Sequence, residues 1–116
     1  MAVKNPIVEH FQGVGGAQGL CTIEGPLYDP SDLICIQNIG VTNQNHKVGN
    51  MLWGLRWGSS NYYVEYVDVH QLPDVHNLKP QLWYTSQYRL IFYFDSLTED
   101  DLVDVYVYGY RTTWTD

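Results

Sequence analysis

From residue 20 onward, apolar and polar side chains alternate in short runs, and no stretch sustains a 3.6-residue repeat. A period of two belongs to strands, whose successive side chains point to opposite faces. Strands are expected at residues 20–24, 33–41, 51–57, 62–69, 82–86, 88–95 and 102–111. The segments between them, "GPLYDPSD", "TNQNHKVGN", "GSSN", "QLPDVHNLKP" and "SLTEDD", are rich in residues that supply turn dihedrals or local hydrogen bonds. Alternation also assigns faces. Met51, Trp53, Leu55 and Trp57 oppose Arg56; Tyr88, Leu90, Phe92 and Phe94 oppose Arg89, Ile91, Tyr93 and Asp95; Val103, Val105 and Val107 oppose Asp104 and Tyr106. Short strands of this number and spacing predict an all-β fold, a two-sheet antiparallel sandwich of Greek-key or jelly-roll type. Ser96 and Glu99 have the spacing of a capping box, which predicts one helical turn in the last connector.

The first 19 residues read differently. "MAVKNPIVEHFQ" precedes the glycine-rich "GVGGAQG". A phosphate-cradling loop needs a helix N-terminus behind its glycines. Here "LCTIEGP" follows, Gln18 stands where the last glycine of G-x-G-x-x-G belongs, and no G-K-[ST] occurs. The glycines therefore read as a joint. Residues 1–19 are expected to form an extended arm that docks elsewhere, with Ile7, Val8 and Phe11 as contacts and Gly13, Gly15, Gly16 and Gly19 as the hinge, and residues 20–116 to form the sandwich. An ordinary first strand with a loose loop is the alternative.

Thirteen acidic residues against six basic ones give a formal net charge of −7. That balance repels phosphate backbones and anionic lipid, so neither nucleic acid nor a membrane is an expected partner. Asp95, Glu99, Asp100, Asp101 and Asp104 are expected to form a solvated acidic loop. No run approaches the roughly 18 apolar residues of a membrane span, and the N-terminus lacks the apolar region of a signal peptide. Synthesis in a cytoplasm is expected, with Cys21 and Cys35 as buried free thiols.

"DVHQLPDVH" places Asp68, His70, Asp74 and His76 in one short stretch, a ligand set for a transition metal if the four converge. Nothing in the spacing makes them converge, and solvated loop histidines are the plainer reading. Ser59, Ser60, Ser86 and the two cysteines sit in no nucleophile motif. No cofactor and no enzymatic activity are expected.

The ten tyrosines and four tryptophans are more informative. Several strands carry rings on both faces, more than one small core can hold, so some rings must lie at the surface or against another chain. Tyr and Trp suit protein interfaces because they combine contact area with a polar tip. Tyr106, Tyr108 and Tyr110 are the expected subunit interface. In an alternative reading, Trp57, Asn61, Tyr62 and Tyr63 around the 58–61 turn bind a carbohydrate or receptor.

The last third, "LWYTSQYRLIFYFDSLTEDDLVDVYVYGYR", leads an amphipathic strand through an acidic connector to a final strand ending in Gly-Tyr. It resembles the closing strands of small jelly-roll proteins of tailed-phage virions, of which capsid decoration, or cement, proteins are one group and receptor-binding domains of the tail or baseplate another, with Glu99, Asp100, Asp101, Gly109 and Tyr110 in the similar places. "SLTEDD" departs from the plain Gly-Asp turn of that pattern. The resemblance implies a non-enzymatic virion protein, made in the host cytoplasm. It would form a homotrimer on the outer capsid surface, bridging neighbouring major capsid subunits.

Overall fold

The computed structural model describes residues 1–43, 50–68 and 75–114; of residues 67, 68 and 75–80 it describes the backbone. Among these, the strands in chain order are β1 (Ala2–Val14), β2 (Cys21–Glu24), β3 (Asp32–Asn43), β4 (Asn50–Trp57), β5 (Ser60–Asp68), β6 (Val75–Thr85), β7 (Arg89–Phe94) and β8 (Leu102–Trp114). They build two antiparallel four-stranded sheets, β1-β8-β3-β6 and β2-β7-β4-β5. Four of the hydrogen-bonded pairs are β1 with β8, β2 with β7, β3 with β6 and β4 with β5, while β8 with β3 and β7 with β4 join them. This is a long antiparallel ribbon wrapped over itself, the jelly-roll form of the expected sandwich.

The core lies between the sheets. Ile7, Ile34, Ile36, Ile39, Val103, Val105 and Val107 from the first sheet meet Ile23, Met51, Trp53, Leu90, Phe92 and Phe94 from the second. In β3 the inward positions step from 34 and 36 to 39 and 41, a change of phase that a regular strand cannot make. An irregularity between Ile36 and Asn38 absorbs Gln37 and returns the later apolar residues to the core. The β4–β5 hairpin closes through Gly58, whose φ of 61° suits glycine.

The expected arm is a strand of the sandwich. β1 pairs with β8 from Ala2↔Trp114 to Val14↔Leu102. Ile7 is only 4% exposed, and Phe11 packs on the core with its ring 6.4 Å from Phe92. Burial of these apolar groups, at roughly 25 cal/mol per Å², holds the strand in place. Pro6 fits because β1 is a sheet edge, where a missing N–H costs no ladder bond.

The expected hinge is a tied corner. Gly15 donates its N–H to the Asp101 carbonyl at 2.8 Å and accepts the Asp100 N–H at 2.8 Å. Gly16 N–H donates to the Leu20 carbonyl, and the Gly19 carbonyl accepts from Leu97. A side chain at Gly13 would strike Cys21 and Ile23, and one at Gly19, whose φ is 75°, would strike the Leu97 backbone. These glycines serve close approach between chain segments rather than freedom.

The last connector contains no helical turn. Ser96 accepts the Asn50 N–H instead of capping, and the Asp101 carboxylate accepts the Thr98 N–H at 2.9 Å and the Asn43 amide at 2.9 Å. Asp101 and Asp104 are buried, so only Asp95, Glu99 and Asp100 of the acidic run are solvated. Residues 75–81, expected as loop, are strand: β6 is the other edge of the first sheet, where Pro80 is tolerated.

Tyr84 points inward from β6, and its buried hydroxyl has no hydrogen-bond partner among the described residues. Burial, then Tyr28 and Glu9, push that hydroxyl far above the ordinary tyrosine range. Burial and then Glu9 likewise push the Tyr28 hydroxyl up to about 12, against the opposing charge of Arg111. Removing a buried, unpartnered polar atom relieves a desolvation cost. Tyr84→Phe is therefore expected to leave stability unchanged or raise it by up to about 1 kcal/mol. Chemical denaturation checks this, and a clear loss of stability would mean that the hydroxyl is partnered.

Candidate functional site

The site begins with the sequence "VYVYGYRTTW" in β8. Val103, Val105 and Val107 enter the core, so alternation turns Tyr106, Tyr108, Tyr110 and Trp114 to the outer face of the first sheet. Because β8 lies between β1 and β3, side chains from both neighbours flank these rings. Register sets Val8 beside Tyr108, Pro6 beside Tyr110 and His10 beside Tyr106 on one flank, with Asn38, Cys35 and Gly40 at the same levels on the other. β6 adds Trp83 opposite Cys35.

Specific contacts order this face. His10 stacks on Tyr106 with ring centroids 4.7 Å apart and 10° between planes, and its Nε2 lies 2.7 Å from the Asp104 carboxylate. Gln12 donates to the same carboxylate at 3.2 Å. The Lys4 ammonium sits 4.8 Å over the Tyr110 ring, and Trp83 meets that ring edge-on at 5.8 Å and 84°. Beneath lies Cys35, fully buried, donating weakly to Gln81 Oε1 at 3.3 Å. Burial pushes the Cys35 thiol up, which keeps it neutral, and desolvation followed by Cys35 itself raises the Tyr110 hydroxyl. Cys21 is also buried, free and raised by burial, so neither thiol presents a nucleophile.

The result is a ring-bearing face interspersed with the polar groups of Lys4, His10 and Gln12. Tyr108 is 42% exposed, Trp83 48% and Val8 71%. Trp83 and Tyr110 stand almost perpendicular, and His10 covers one face of Tyr106. Rings so arranged give an uneven relief of edges and aliphatic groups rather than one flat stacking plane.

Of the three expected arm contacts, only Val8 lies on this surface; Ile7 and Phe11 are spent in the core. Tyr106, Tyr108 and Tyr110 share the outer face of the first sheet. Lys4, His10, Trp83 and Trp114 join them, and reading β1 as a strand would have placed Lys4 and His10 there. The alternative set divides. Asn61 and Tyr63 lie on the outer face of the second sheet, with Asn61 Nδ2 3.4 Å from the Tyr63 hydroxyl, whereas Tyr62 pairs with Leu55 on the opposite face. Trp57 belongs to a separate cleft at the end of that sheet. An irregularity between Trp53 and Gly54 on β4 leaves Val64 without a register partner on the edge strand β5, so Tyr63, beside Gly54, and Tyr66, beside Leu52, share the outer face while Tyr62 lies on the other.

Ser59 is in the β4–β5 turn, and Ser60 begins β5. The described residues contain no group of three or more metal-ligating side chains, and the Asp68, His70, Asp74 and His76 set lies outside the described side chains. Among the described residues no helix is long and apolar enough to cross a membrane. Comparison with protein-family models, curated proteins and solved structures gives no match.

Proposed function

We propose that this protein is a non-enzymatic structural module that assembles through the outer face of its β1-β8-β3-β6 sheet. On this reading it forms a homotrimer on the outside of a tailed-phage head, bridging neighbouring major capsid subunits, as the capsid decoration proteins it resembles do. The observation that carries the reading is the gathering of Val8, Trp83, Tyr106, Tyr108, Tyr110 and Trp114 on one sheet face. Exposed patches of this kind mark contact sites, and Tyr and Trp dominate the energetics of such contacts. The fold supports the role mechanically. Two hydrogen-bonded sheets resist distortion, and many copies on a shell add their separate affinities.

Sedimentation velocity of the wild-type chain and of Trp83→Glu with Tyr108→Glu tests it. The wild type is expected at three times the 13.4 kDa chain mass. Burying two unpaired carboxylates in a contact costs several kcal/mol, so the double variant is expected as a folded monomer. A variant that assembles as well as the wild type would refute this face as the contact.

A further inference from the structure

The second sheet ends in a cleft of about 430 Å³ lined by Glu24, Leu27, Arg56, Trp57, Gln87 and Arg89, with Gly58 at its edge. That volume lies within the roughly 300–1,000 Å³ usual for small-molecule sites. Arg56 and Arg89 face each other in register on β4 and β7, an arrangement of like charges that costs stability in a sheet. One carboxylate serves both: Glu24 Oε1 lies 3.2 Å from Arg56 Nη1, and its Oε2 lies 3.4 Å from Arg89 Nη1. Arg56 Nε also donates to the Gly58 carbonyl at 3.0 Å, which fixes the plane of its guanidinium. Each guanidinium carries five N–H donors, so both forks keep capacity beyond these bonds.

Among the described residues that line the cleft, two guanidinium groups face one carboxylate, an excess of one positive charge in a chain whose net charge is −7. Beside it, Trp57 is 54% exposed, and its ring is braced by Tyr88 at 6.5 Å. Two guanidinium forks recognise a carboxylate in plane. An indole face packs on the C–H face of a saturated ring, and Gln87 and Glu24 match hydroxyl groups.

We infer that this cleft binds a sugar carboxylate, a uronic acid residue, with Arg56 and Arg89 on the carboxylate and Trp57 under the ring. The site is independent of the assembly face, being formed by the other sheet.

The test is two-dimensional ¹⁵N NMR of the full chain, following the Trp57 indole signal, assigned with Trp57→Phe, during titration with sodium glucuronate. Glucose and sodium acetate at equal ionic strength are the controls. Glucuronate is expected to shift the signal saturably, with at least about tenfold weaker binding in Arg89→Gln and in Arg56→Gln, since a hydrogen bond to a charged group is being lost. Acetate and glucose are expected to bind at least tenfold more weakly than glucuronate. Equal binding of glucose would overturn the carboxylate role, equal binding of acetate would overturn the ring contact, and no saturable shift with glucuronate would overturn the site. Either Arg variant, if it retains the wild-type spectrum elsewhere, is sufficient.

Discussion

Trp53→Ala is expected to destabilise the fold by about 3–5 kcal/mol, the range for deleting a buried aromatic side chain. Trp53 is among the largest fully buried side chains, at the centre of β4, and packs with the core residues of both sheets. Its indole N–H also donates to Glu65 Oε1 on β5 at 3.1 Å, so the substitution removes volume and a cross-strand tie together. A domain of this size holds only about 5–15 kcal/mol in total, and the variant should unfold at a far lower urea concentration. Trp53→Phe keeps most of the volume and should lose less, which separates packing from the hydrogen bond.

Gly109→Ala is expected to cost about 3 kcal/mol or more, beyond ordinary overpacking because the obstruction is backbone. A Cβ at Gly109 would strike the carbonyl oxygen of Cys35 and crowd the Ile36 Cα. Neither group moves without parting β3 from β8, the central pair of the first sheet. Gly40→Ala is the control on the same sheet: its Cβ meets only Tyr106 side-chain atoms at 3.8–4.0 Å, an ordinary contact. Thermal unfolding of the two variants should therefore separate widely, and a Gly109→Ala midpoint matching that of Gly40→Ala would contradict the close approach described here.

The alternation in "LWYTSQYRLIFYFD" and "LVDVYVYGYR" was enough to read strands, faces and a sandwich, because a period of two is imposed by backbone geometry. The outward tyrosines of β8 followed from the same alternation. β1 was harder to read, since Pro6 and the following glycines have meanings that only an edge position and a tight corner reveal. The phase change within "LICIQNIGV" signalled an irregularity only once both flanking registers were known. Contacts distant in sequence were not legible. His10 reaches Asp104, and Arg56 faces Arg89 over Glu24, because strand order places them together, and nothing local in the chain encodes that order. Asp101 and Asp104 looked solvated because charge alone was visible, whereas their hydrogen bonds to Asn43, Thr98, His10 and Gln12 permit burial.

The most direct measurement is hydroxyl-radical footprinting of the assembled protein against the same chain diluted to monomer. Oxidation of Trp83, Tyr106, Tyr108, Tyr110 and Trp114 should fall on assembly, while Trp57, Tyr62, Tyr63 and Tyr66 on the second sheet keep their reactivity. Protection of the second set with continued oxidation of the first would contradict the account, as would a chain that remains monomeric with both sets equally reactive.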